Sequence, residues 1–188
     1  MKRELANKMY SPTAYYLGRF LSNLLLQLLY PMIMIFCLFW ILDINTDMTN
    51  FLWITAFGIM SNFVFCGQGF FLGTMILDES NVKLVNILFV MVFLATNGVL
   101  CNLNSANWFI KGLSKISPNR FNTEGFVRCV TMQIPDYTEY GLPISQEDVL
   151  EQFGYTWGFD YCIEGLIVWF FVWIFLTIIG INLKFKNL

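Results

Sequence analysis

The sequence predicts an all-α membrane protein, with four transmembrane helices and short re-entrant or interfacial helices in the last extracellular loop. Three observations lead there. Of 188 residues, 57% are hydrophobic and only 13% charged, about half the charged share of a soluble domain. Four apolar runs, Leu21–Leu42, Phe51–Leu77, Val82–Leu103 and Ile163–Leu183, are each long enough to cross a hydrocarbon core of ~30 Å, which takes about 20 helical residues. Finally, Lys and Arg are absent from the short connection between the first two runs, the asymmetry that membrane proteins use to orient their spans.

The first helix is expected to begin before its apolar run. Ser11-Pro12 reads as an N-cap followed by proline at the first helical position. One long helix to Leu42 follows, kinked near Pro31; two separate helices are the alternative. Residues 1–20 form a cytoplasmic lead-in. The second span, Phe51–Leu77, contains Gly67, Gly69 and Gly73. Its Gly69-x-x-x-Gly73 spacing lets another helix approach closely, either a second copy at a dimer seam or a neighbour in the same chain. The third span, Val82–Leu103, starts with Lys83, which snorkels toward the interface. The fourth starts with Glu164, read as interfacial and suited to a helix N-terminus. Polar residues inside the spans (Asn23, Gln27, Ser61, Asn62, Gln68, Asn86, Thr96 and Asn97) are expected to bond between helices.

With four spans both ends lie on one side. That side holds seven basic residues (Lys2, Arg3, Lys8, Arg19, Lys83, Lys184 and Lys186), against none in the short outer connection. Both termini are therefore expected in the cytoplasm, of a chain in the plasma membrane or an endomembrane. The long segment 104–161 then lies outside. It is too apolar for a plain linker, with Trp108, Phe109, Ile110, Leu113 and Ile116 at helical spacing, and Pro118, Pro135, Gly141 and Pro143 divide it. Short interfacial helices and a small exposed cap are expected, with Phe153, Tyr155, Trp157 and Phe159 in the aromatic belt.

Composition also excludes functions. Net charge is −2 and no basic footprint for nucleic acid appears; there is no histidine, so imidazole metal ligands and His-dependent triads are absent. No Cys pair has C-x-x-C spacing, which argues against zinc or redox motifs. For Cys129 and Cys162, a disulfide and two free thiols both remain open. Nothing matches a phosphate-cradling G-x-x-x-x-G-K-[ST] loop, so the chain is not expected to be an enzyme, and no metal site or catalytic residue is assigned.

Two stretches are more specific. The first runs Arg3-Glu4-Leu5-Ala6-Asn7-Lys8-Met9-Tyr10-Ser11-Pro12-Thr13-Ala14-Tyr15-Tyr16. The second is Asn97-Gly98-Val99-Leu100-Cys101-Asn102-Leu103, continuing through Trp108, Ser117-Pro118, Arg120-Phe121 and Gly125-Phe126. In this order the chain resembles the C-terminal part of the transmembrane domain of ABCG (white-type) ABC transporters, whose membrane domain is of the ABC-2 type. The resemblance implies a partial transmembrane domain over residues 1–188, with the family's nucleotide-binding domain and first two spans outside it. ATP and magnesium would bind that domain, and no cofactor is expected here. It further implies a homo- or heterodimer with an ABCG-type subunit, contact with membrane lipid, and a hydrophobic small-molecule substrate such as a lipid or sterol. Met91, Leu94, Ala95 and Gly98 would line the substrate cavity, and Val99 with Leu100 would form its gate. Glu4, Met9 and Tyr10 would couple to the nucleotide-binding domain. A truncated, non-transporting partner that regulates full-length transporters is the alternative function.

Overall fold

The computed structural model describes residues 11–42, 47–76, 78–131, 137–139, 142–144 and 146–186. Helix α1 spans Pro12–Leu42. Ser11 Oγ accepts from the Ala14 N–H at 3.2 Å, which caps the helix at the expected place. Pro31 lies inside it, and a single helix forms rather than two. Most of α1 faces away from the bundle, with Leu21, Leu25, Ile33 and Met34 exposed. An apolar face of this kind is stable only against lipid or another apolar surface.

Helix α2 (Met48–Met75) is the central element. It packs on α1, on α5 (Pro118–Thr131) and most extensively on α7 (Phe159–Lys186). Its buried residues include Ile54, Phe57 and Val64, which join Phe121, Leu166 and Trp173 in the main core. Gly67 permits the α2–α7 approach: a Cβ there would lie 2.9 Å from Trp173 Cβ. Gly125 does the same for α5, which presses against the Phe57 ring. Gly69 and Gly73 are different, since a Cβ at either meets nothing within 4 Å.

Helix α3 covers Glu79–Ala95, capped by Asp78, whose side chain accepts from the Ser80 N–H. It ends eight residues before Leu103, the end expected from hydropathy. Seventeen residues rise about 25 Å, short of the ~30 Å core. Three helices (Thr13–Ile41, Met48–Met75 and Phe159–Leu183) are long and apolar enough to cross a membrane, and Ser80–Ala95 is a shorter apolar helix. Of the polar residues inside the spans, Asn62, Gln68 and Asn86 bond between helices as expected, whereas Asn23 and Thr96 bond carbonyls of their own helix and Asn97 bonds within the turn that follows α3. The Asn62 amide donates to the Gln27 carbonyl at 2.7 Å and the Gln68 amide to Asn86 Oδ1 at 3.1 Å. Glu164 and Lys83 are exposed.

Segment 104–161 contains helix α4 (Trp108–Ile116), α5 and α6 (Gln146–Phe153). It also holds an antiparallel hairpin of β1 (Tyr137–Glu139) and β2 (Leu142–Ile144), with Thr138 opposite Pro143. The expected cap is thus partly a short β-ribbon, which all-α reasoning had no term for. All five cysteines are free thiols, and Cys129 and Cys162 are buried in one core cluster.

Candidate functional site

The turn after α3 holds the residues that the sequence singles out as a gate. Thr96 ends the helix by folding its hydroxyl back on the carbonyls of Val92 and Phe93, at 3.1 and 3.0 Å. Asn97 Oδ1 then accepts from the Val99 N–H at 2.9 Å, an Asx turn that offers the backbone an alternative to further helix. Gly98 follows at φ 91°, a conformation that glycine adopts without steric penalty. The chain reverses, and Val99 and Leu100 stand 49% and 69% exposed. Leu103 turns back inward and is buried with Leu150 and Tyr155.

The underside of the turn rests on the residues just after α6. Tyr155 is buried and its hydroxyl donates to the Asn97 carbonyl at 2.7 Å. Its ring fills the space beside Gly98, where a Cβ would come within 2.6 Å of Cε1. Asn104 Nδ2 donates to the Glu151 carbonyl at 2.7 Å. Gly154, at φ 73°, lets the chain pass close to Asn104.

A buried ionic cluster holds this support in turn. Glu124 has no exposed surface. Its Oε1 accepts from the Trp157 N–H at 2.5 Å and from Arg128 at 3.3 Å. Arg120 Nε lies 3.5 Å from Oε2, an ion pair without hydrogen-bond geometry. The Arg120 guanidinium also donates to Ser114 Oγ at 2.9 Å and to the Gly154 carbonyl at 3.4 Å, and stacks 3.8 Å over the Trp157 ring, a favourable cation–π geometry. Burial pushes the Glu124 carboxyl above the usual range, opposed by the Trp157 N–H and by both arginines. Burial lowers Arg120, opposed by Glu124, and raises the Tyr155 phenol. Such a cluster fixes geometry more than it adds stability, because desolvation of the charges offsets their attraction.

The structure places the other sequence-predicted residues as follows. Met91 and Ala95 are exposed on α3, and Leu94 is half-buried. Gly98 is not on the same helical face, since α3 has already ended and Gly98 is buried against Tyr155. Gly69 and Gly73 line a crevice of about 170 Å³ between α1, α2 and α7, with Tyr15, Arg19 and Ile181. Glu4, Met9 and Tyr10 lie outside the described residues. The support of the turn was missed in the sequence. Arg120, Glu124 and Arg128 follow an i, i+4, i+8 pattern that was its available signal; Tyr155 had none beyond belonging to an aromatic run.

The family model described as ABC-2 type transporter matches residues 1–130. No curated protein matches the chain.

Proposed function

The chain belongs to the ABC-2 type transporter family, and from that premise we propose that it is the membrane-domain portion of an ATP-driven transporter of the ABCG type. A membrane domain of this family is a transporter component and is not itself catalytic. ATP hydrolysis is supplied by a nucleotide-binding domain, where ATP and magnesium bind, and Glu4, Met9 and Tyr10 serve to couple this chain to it. Both termini are cytoplasmic, and α3 with the turn beyond it makes the third of four crossings. The substrate is a hydrophobic compound such as a lipid or sterol, held in a cavity lined by Met91, Leu94 and Ala95.

One observation supports this reading above the others: a braced turn presents two branched apolar side chains, Val99 and Leu100, at the end of a short apolar helix. Two copies meeting there would bring four such side chains together. A hydrophobic constriction blocks passage without any charge. Truncating it loosens it, because each shortened packed aliphatic side chain loses on the order of 2–5 kcal/mol. In a complete dimeric transporter carrying this chain, Val99→Ala with Leu100→Ala is expected to alter transport rate or basal ATPase with expression retained. The control is Ile87→Ala with Phe89→Ala, lower on α3. Wild-type behaviour of the gate variant in both assays would remove the gate assignment.

The second reading is a non-transporting partner that dimerises with full-length subunits and regulates them. It is favoured by Gly69 and Gly73 of α2, where an added Cβ would meet nothing within 4 Å, in a crevice bordered by α1 and α7. A nucleotide-binding domain encoded in frame with this chain would favour transport; a transcript that starts at Met1 would favour the regulatory partner.

A further inference from the structure

Resting on the gate reading above, we propose that Tyr155 is the positioning residue of the gate: its hydroxyl and ring set the height and direction of the Val99–Leu100 turn. The turn has little of its own to hold it. Beyond Ala95 only the Thr96 and Asn97 N–H groups reach back to α3, to the Phe93 and Leu94 carbonyls at 3.3 and 3.4 Å, and the Asn97 side chain accepts from the N–H groups of Val99 and Leu100 at 2.9 and 3.5 Å. The bond of Tyr155 to the Asn97 carbonyl joins residues 58 apart in sequence, so it ties the turn to a separate part of the molecule. The ring beside Gly98 leaves no room for the turn to settle toward α6. The strap that carries Tyr155 is itself fixed at both ends, because Arg120 binds the Gly154 carbonyl and Glu124 binds the Trp157 N–H. Arg120 and Glu124 lie on α5, which packs against both α2 and α7. A displacement of α5 relative to α3 is therefore conveyed to the gate through Trp157, Gly154 and Tyr155. The gate would follow the bundle rather than open by itself.

The test uses the full chain in lipid nanodiscs and the variant Tyr155→Phe, which keeps the ring beside Gly98 and removes only the hydroxyl. The readout is hydrogen exchange of the backbone across residues 96–104, with the α2 core as reference. Loss of this one hydrogen bond is expected to speed exchange in the turn about two- to tenfold, with α2 and α7 unchanged. Tyr155→Leu, which also removes the ring, is expected to speed it further. Unchanged exchange in Tyr155→Phe would overturn the proposal, as would a uniform increase through α2 and α7, which marks a general loss of structure. A second arm separates the gate reading from the positioning. Leu100→Cys, in a background with Cys37, Cys66 and Cys101 replaced by serine, is expected to cross-link between copies, and Tyr155→Phe is expected to reduce that yield. If Leu100→Cys never cross-links while exchange still responds to Tyr155→Phe, the gate reading falls and Tyr155 remains the brace of the turn. If it cross-links equally in both backgrounds, Tyr155 does not position the gate.

Discussion

A carboxyl group with no exposed surface, lying between two guanidinium groups, makes Glu124 tightly constrained within segment 104–161. Burial raises its carboxyl above the usual range. The folded chain then keeps that proton to higher pH than the unfolded chain does. Stability is expected to fall as pH rises from the unfolded value through the folded one, and to return on acidification through the same window. Thermal unfolding of the chain from about pH 4 to about pH 8 measures this, bracketing the ordinary carboxylate value of about 4.3. Glu124→Gln should flatten that part of the profile; an unchanged slope would show that other groups produce it. Cys129, buried nearby, has its thiol pushed up to about 11 by desolvation. Since the thiolate is the reactive form, a maleimide at neutral pH should leave it unmodified in the native chain and label it after denaturation. Native-state labelling at Cys129 would contradict its burial. The free state of Cys129 and Cys162 was not legible beforehand, because pairing depends on side-chain placement that spacing alone does not fix. Gly98 was legible as a small residue, but its positive φ was not. Gly98→Ala is expected to cost about 1–3 kcal/mol, with a methyl group driven against Tyr155.

Helix starts were read better than helix ends. Ser11-Pro12 announced the start of α1, and hydropathy located α2 and α7 within a few residues. The end of α3 was misread by eight residues because Val99, Leu100 and Leu103 continue the apolar pattern. Local hydrogen bonding from Thr96 and Asn97, followed by Gly98, stopped the helix instead. Periodicity cannot register a side chain competing for the backbone. The glycines of α2 divide in a way that spacing also did not reveal. Gly67 is packed on Trp173, whereas Gly69 and Gly73 face open space. Gly67→Val is therefore expected to lower stability by about 1–3 kcal/mol through overpacking. Gly69→Val with Gly73→Val should leave the fold and its thermal unfolding unchanged. Should that second pair also weaken self-association in chemical cross-linking, a dimer seam on this face is supported; full association would exclude it.

Across the whole molecule, the seven basic residues assigned to one side predict which surfaces can be reached from outside. Single cysteines at Glu147 and Lys186, in a background without reactive native thiols, should differ under an impermeant reagent applied to intact cells. Only Glu147→Cys is expected to be modified, and labelling of Lys186→Cys would invert or discard the topology. The purified chain is expected to show no ATPase activity above a detergent blank, since no phosphate-cradling loop is present in the sequence. Activity in the purified chain would overturn the view that hydrolysis resides on another domain.

By itself the sequence determined the environment of this protein and its elements. Composition demanded lipid, run lengths gave the apolar helices, and the Arg3–Tyr16 and Asn97–Phe126 motifs pointed toward the ABC transporter family that residues 1–130 match. Those properties are additive along the chain, so they survive without knowledge of what touches what. Only the tertiary structure decided that α5 is held by a buried ionic cluster, that Gly67 rather than Gly69 or Gly73 receives α7, and that Tyr155 stands under the candidate gate. The ion pairs of the cluster are local to α5, but its bonds to Gly154 and Trp157, the Gly67–Trp173 contact and the Tyr155–Asn97 bond join residues far apart in sequence, and their geometry follows from close packing of whole elements, which no local pattern encodes.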